Sequence, residues 1–119
     1  MSGLFSRIFG TKSAALTWLE IADVRPRLGT VLLVDVRQPE EYDSPPGHLP
    51  GAINVPLAEV PGRADELEAA TGGKPVVLVC KTDRRSARAA EALLAAGLRD
   101  VAVLRGGTDG WHAQGLELE

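Results

Sequence analysis

Three short apolar runs punctuate the chain: Val31-Leu32-Leu33-Val34-Asp35-Val36, Val76-Val77-Leu78-Val79 and Val101-Ala102-Val103-Leu104. Each is rich in β-branched residues and nearly free of polar interruption. That is the pattern of strands buried on both faces rather than on one. Ala52 to Val55 reads as a further short strand. The segments between them carry helical signals. Thr17 is placed to N-cap a helix from Trp18 to Arg25, which Pro26 limits. Pro39 suits the first turn of a helix bearing Glu40, Glu41 and Tyr42. A third helix runs from Arg63 to Ala70, ahead of Gly72-Gly73. The longest spans Arg84 to Ala96, with Ala87, Ala90, Leu93 and Leu94 as its apolar stripe and Gly97 to end it in the left-handed conformation. Gly106-Gly107 turns the chain into a short helix around Asp109 to Ala113. Ser44 to Gly51 is a Pro- and Gly-rich loop.

Strands alternating with helices predict an α/β domain on a central, mostly parallel sheet with helices on both faces. The length of 119 residues fits one such domain. Aromatics make up only 4% of the chain, so Val, Leu, Ile and Ala must build the core, with Trp111 packing the last helix onto the sheet. Residues 1–13 precede the first element and read as a flexible extension; a short amphipathic surface anchor is the alternative for this stretch. No apolar run approaches the length of a membrane span.

The net charge of −3 carries no nucleic-acid signature, yet its distribution is uneven. Lys81, Arg84, Arg85 and Arg88 crowd one short segment with a single acidic residue, Asp83. This local excess marks either a small anion site or a solvated helix face. Cys80 is the only cysteine, so the chain forms no internal disulfide, and a reducing compartment, the cytoplasm, is expected. His48 and His112 lack partners spaced for a metal, and neither a metal nor a cofactor is expected. His48 reads as a loop-packing residue and His112 as a surface one.

Cys80 directly follows the second apolar run and precedes the longest helix. In parallel sheets, sites lie at the carboxyl ends of strands, and Cys80 is expected to stand there exposed in a shallow pocket. A tight loop entering a helix turns successive backbone N–H groups inward, and the helix N-terminus adds unpaired donors and a positive dipole. A sulfur at that centre is stabilised as thiolate, which is the nucleophilic form. Arg85 at a helix start opposes the dipole unless an anion lies nearby. Asp35 and Arg37, two residues apart on a strand, point to one side and are expected to fix loops around the site by hydrogen bonds and ion pairs.

These pieces resemble a known family. Asp35-Val36-Arg37, Glu41-Tyr42 and Gly47-His48-Leu49-Pro50-Gly51-Ala52-Ile53-Asn54-Val55-Pro56 are similar to rhodanese-like domains. So are Val79-Cys80-Lys81-Thr82-Asp83-Arg84-Arg85-Ser86 and the closing Leu104-Arg105-Gly106-Gly107, Trp111 and Gly115-Leu116, in the family's order. The resemblance covers residues 14–119 and implies a three-layer α/β/α single-domain rhodanese, a sulfurtransferase. Cys80 would take a sulfane sulfur from a donor such as thiosulfate, hold it as a persulfide and pass it to cyanide, a thiol or a thiol protein. Lys81, Thr82, Asp83, Arg84 and Arg85 would cradle the persulfide and the departing sulfite, with Asp35, Arg37 and Ser86 supporting them.

Two departures from the family pattern bear on the donor. Many active rhodanese loops have glycine where this chain has Asp83. Asp adopts positive φ more readily than most residues, so the loop can still form, but an inward carboxylate would repel anionic donors. Some thiosulfate-using members carry an arginine where this chain has Glu40 and Glu41. Both weigh against thiosulfate as the physiological donor. A low-activity sulfur carrier or regulatory binding module of the same fold is the alternative function. A cysteine phosphatase or arsenate reductase would place its arginine one residue later than Arg85, at the position of Ser86, and such phosphatases commonly have histidine where Val79 stands.

Overall fold

The computed structural model describes residues 16–119; the extension expected at residues 1–13, and its alternative as an anchor, lie outside the described residues. Five strands form one sheet: β1 (Thr17–Leu19), β2 (Leu32–Asp35), β3 (Ile53–Asn54), β4 (Val76–Val79) and β5 (Val101–Leu104). Their order is β1-β5-β4-β2-β3, and every pairing is parallel. The helices are α1 (Ile21–Val24), α2 (Pro39–Asp43), α3 (Ala64–Ala70), α4 (Arg84–Ala95) and α5 (Gly107–Ala113). Short 3-10 turns at Arg25–Arg27, Leu57–Glu59 and Pro61–Arg63 complete the described elements.

Strand alternation splits the core into two layers. Val76 and Leu78 of β4 face a cluster with Ala64 and Leu67 of α3 and Ala89, Ala90 and Leu93 of α4. Val77 and Val79 face the opposite cluster with Ile21 and Val24 of α1 and Trp111 of α5. Cys80 continues the parity of Val76 and Leu78 and so belongs to the α4 layer. The fully buried row of α4 is Ser86, Ala89, Ala90 and Leu93, with Ala87 and Leu94 at its margin. This helix ends where Gly97, at φ 102°, lets Gly97 N–H reach Leu94 O and Leu98 N–H reach Leu93 O. That is the Schellman arrangement, and Leu98 packs into the same cluster as Leu93.

The helix expected from Trp18 to Arg25 is divided. Thr17–Leu19 is extended and pairs with Ala102–Leu104, Leu19 O accepts from Arg105 N–H, and the helix begins only at Ile21. Thr17 is therefore not its cap: Glu20 occupies that position, and its backbone N–H donates to the Asp23 carboxylate at 2.9 Å. Pairing with a strand distant in sequence outweighs the local helical pattern. The run Ala52–Val55 shrinks to Ile53–Asn54 because β3 is an edge strand, paired only with β2. The last helix starts two residues earlier than expected, directly after Gly106 in the left-handed conformation.

The side on which successive strands are added switches between β2 and β4. From β2 the next strand lies on one side, at β3; from β4 it lies on the other, at β5. The crevice between the carboxyl ends of β2 and β4 is therefore the switch point where open α/β sheets bind ligands. The β2 end is braced by a buried ion pair. Asp35 is 0% exposed and Arg37 5%. Arg37 Nη2 donates to Asp35 Oδ2 at 2.8 Å and to Gly47 O at 3.0 Å, while Arg37 Nε donates to Asp35 Oδ1 at 3.0 Å. Asn54 Nδ2 donates to the carbonyls of both residues at 3.0 Å. Asp35→Ala would leave the Arg37 charge buried and uncompensated, so it should cost about 3–5 kcal/mol. Urea unfolding checks this, and adding Arg37→Met should recover part of the loss.

Candidate functional site

The loop from Cys80 to Asp83 closes the carboxyl end of β4 and runs into α4. Cys80 is 1% exposed, against the expectation that it would stand exposed in a shallow pocket. The strand parity turns its side chain into the α4 layer, and the start of α4 folds over it. Ser86 meets the sulfur twice: its backbone N–H donates to Sγ, and its hydroxyl lies against Sγ, both at 3.4 Å. The backbone N–H groups of Lys81, Thr82, Asp83, Arg84 and Arg85 donate to no protein acceptor among the described residues. A row of unpaired donors at a helix start is a polarity suited to a negatively charged sulfur or oxyanion.

Helix α5 fixes the outer face of the loop. Thr108 N–H donates to Cys80 O at 2.9 Å and Asp109 N–H to Lys81 O at 3.0 Å. Gly107, at φ 57°, sits where any Cβ would overlap the carbonyl oxygens of Cys80, Lys81 and Thr82. Only glycine allows the two backbones to come so close. Sequence reasoning marked Gly106-Gly107 as a turn and missed this role, and it missed Thr108 and Asp109. A double glycine following a strand was the one available signal.

The basic segment looks different in three dimensions. Lys81 Nζ pairs with Asp109 at 2.8 and 3.1 Å. Arg85 forms a two-pronged pair with Glu41 of α2, Nη1 to Oε1 at 2.7 Å and Nη2 to Oε2 at 3.1 Å. This pair spans the crevice at the switch point, linking the helix after β2 to the helix after β4. Glu41 is also held by its own helix, since Gln38 N–H donates to its Oε1 at 3.0 Å. The Arg85 hydrogen bond holds the Glu41 pKa down at about 2, and Glu41 raises that of Arg85. Arg84 and Thr82 are exposed. Asp83 has φ −158°, so its position does not call for the left-handed conformation. Its carboxylate accepts a long 3.4 Å contact from Gly106 N–H.

Beside the crevice, the ring of His48 stacks on that of Tyr42 with centroids 3.7 Å apart, and Tyr42 Oη donates to Ala52 O. This matches the loop-packing part expected of His48. Trp111 is buried and donates its indole N–H to Glu117 O at 2.9 Å.

The model of the rhodanese-like domain family matches residues 14–114. The chain is 35% identical to a sulfurtransferase of Allochromatium vinosum, over 74% of this chain and 78% of that one. It is 39% identical to the uncharacterized protein YqhL of Bacillus subtilis, over 66% of this chain and 59% of that one. The chain thus spans about three-fifths of YqhL, and 30% and 40% of two further curated relatives. A solved thiosulfate sulfurtransferase from Pseudomonas aeruginosa superposes with a TM-score of 0.73 at 34% identity, covering 87% of this chain and 20% of that one. No helix among the described residues is long and apolar enough to cross a membrane.

Two outcomes are expected. Gly106→Ala and Gly107→Ala both place a side chain at positive φ, at a cost of about 1–3 kcal/mol each. Gly107→Ala alone also meets the loop carbonyls, so it should destabilise further in urea and change the alkylation rate of Cys80, whereas Gly106→Ala leaves that rate unaltered. The lowered pKa of Glu41 means its pair stabilises the fold fully above pH 4.5, the ordinary value, and loses this contribution as pH falls toward 2. The pair is one-third exposed, so the effect is about 1 kcal/mol or less. Comparing the stability of wild type and Glu41→Gln between pH 7 and pH 3 checks it: the gap between them should narrow on acidification.

Proposed function

Because the chain belongs to the rhodanese-like domain family, we propose that it is a sulfurtransferase in which Cys80 carries a sulfane sulfur as a persulfide. The observation that supports this most is the pairing of one thiol with the unpaired N–H row of Lys81 to Arg85, at the carboxyl end of β4. Such a row stabilises an anionic outer sulfur without a metal or a basic side chain.

The reaction divides into two displacements. The Cys80 thiolate attacks the sulfane sulfur of the donor. A new S–S bond forms, the donor's own bond to that sulfur breaks, and its electron pair leaves with the remainder, sulfite in the case of thiosulfate. The acceptor, cyanide or a thiolate, then attacks the outer sulfur, and Cys80 departs as thiolate. No oxidant enters, because the sulfane sulfur moves already oxidised relative to sulfide. One cysteine suffices, since the acceptor comes from outside. With Cys80 buried, a donor reaches Sγ only when the loop over it shifts.

Within this scheme the Ser86 hydroxyl and N–H orient Sγ, and the Asp35–Arg37 brace keeps the β2 loop in register with the Cys80 loop. A lone free cysteine accords with work in a reducing compartment such as the cytoplasm. The held Arg85 argues against the cysteine phosphatase reading, which needs a free guanidinium to grip a tetrahedral oxyanion.

Intact-protein mass spectrometry tests the proposal. Wild type treated in turn with thiosulfate and with a low-molecular-weight persulfide should gain one sulfur atom, cyanide should remove it, and Cys80→Ser should gain none. Failure of wild type to gain sulfur from either donor would make the domain a binding module.

A further inference from the structure

The basic segment around Cys80 invites a doubly charged donor, yet the fold pairs off half of that charge, including the arginine next to Ser86. Of the four cations, Lys81 is paired with Asp109 and Arg85 with Glu41, while Arg84 and Arg88 are exposed on α4. Asp83 adds a further carboxylate at the start of that helix. We propose that Glu41 is a specificity-determining residue that locks Arg85 and sets the site against dianionic donors, selecting instead an alkyl persulfide whose leaving group is a single thiolate. This rests on the sulfurtransferase reading and adds the donor class to it.

Three observations carry the inference. The first is geometry: Arg85 presents both Nη atoms end-on to the two Glu41 oxygens, so the end-on fork that would grip a sulfonate-like group is already occupied. The second is preorganisation. Gln38 N–H holds Glu41 Oε1, so the carboxylate is delivered by its helix and does not swing freely as an exposed side chain would. The third is position. Arg85 directly precedes Ser86, whose N–H and hydroxyl touch Sγ. The Glu41 carboxylate is thus fixed on the residue adjacent to the one that touches Sγ. The lowered pKa of Glu41 keeps it charged throughout the neutral range.

The chemistry separates the two donor classes. With thiosulfate, attack by Cys80 thiolate forms the new S–S bond and expels sulfite, so two negative charges gather on one small group beside Glu41. With an alkyl persulfide, attack on the outer sulfur breaks the R–S to S bond. The electron pair leaves on one thiolate sulfur, which takes up the proton of the persulfide. Backbone N–H groups alone can hold that single charge, whereas a departing dianion calls for a free cation.

The experiment compares wild type, Glu41→Gln and the double variant Glu41→Gln with Arg85→Gln, using thiosulfate and cysteine persulfide as donors and cyanide as acceptor. Wild type should use cysteine persulfide with the higher kcat/KM. Glu41→Gln should raise kcat/KM for thiosulfate about tenfold, chiefly through KM, as expected for removing one unit charge a few ångströms from a dianion near the surface. Its use of cysteine persulfide should rise only about threefold, because a single charge halves the Coulomb energy on the same reckoning. The double variant should lose the thiosulfate gain, since the freed Arg85 supplies it. High salt should narrow the difference between wild type and Glu41→Gln with thiosulfate. An unchanged or lower thiosulfate kcat/KM in a folded Glu41→Gln protein overturns the inference, as does a gain that survives in the double variant. If wild type accepts sulfur from neither donor, the sulfurtransferase reading itself fails, a result distinct from failure of the charge lock.

Discussion

Burying Asp35 and Arg37 takes two charges out of water, and their mutual attraction offsets that cost only if the remaining polar atoms are also satisfied. The carboxyl end of β2 is arranged to meet this demand. Arg37 reaches the Gly47 carbonyl as well as Asp35, and Asn54 of the edge strand bonds both backbone carbonyls. The pair thereby ties the end of a central strand to the loop that follows it and to β3. The orientation of α2, and with it of Glu41, follows from this brace. A purely apolar contact there would pack as well but would not dictate where the loop carbonyls point.

On the other side of the switch point the constraint is steric. Cys80 reaches the α4 layer because β4 alternates, and the loop above it stays closed because Gly107 lets α5 approach its carbonyls. The carbonyls of Cys80 and Lys81 are spent on α5, while the N–H groups of the same loop have no protein partner among the described residues. This asymmetry gives the loop its chemical character. With these acceptors drawn to α5, the unpaired backbone groups left at the start of α4 are donors. Glu41 and Arg85 then close the crevice from opposite helices, placing a fixed negative charge where a sequence count records only excess positive charge.

The apolar runs for β2, β4 and β5 were legible along the chain because a strand buried on both faces leaves no polar signature to confuse it. The end of α4 was legible for an equally local reason: Gly97 is the residue that adopts the left-handed turn the Schellman motif requires. The candidate cysteine could be found from its position between a buried strand and a helix. Thr17–Leu19 could not, since its extended form depends on β5, some 85 residues away, with which it pairs in register. The burial of Cys80 and the left-handed Gly107 were hidden too, because both arise where α5 and α4 close on the loop.

The sequence by itself therefore determined the alternation of strands and helices, the family pattern and the identity of the nucleophile candidate. These are properties of local periodicity, turn chemistry and residue type. Tertiary structure alone decided which charges near Cys80 are free. Lys81, Arg85, Glu41 and Asp109 lie on three segments far apart along the chain, and a Coulomb interaction depends on distance in space. Only the folded sheet, by setting β2 and β4 side by side, brings Glu41 within hydrogen-bonding reach of Arg85.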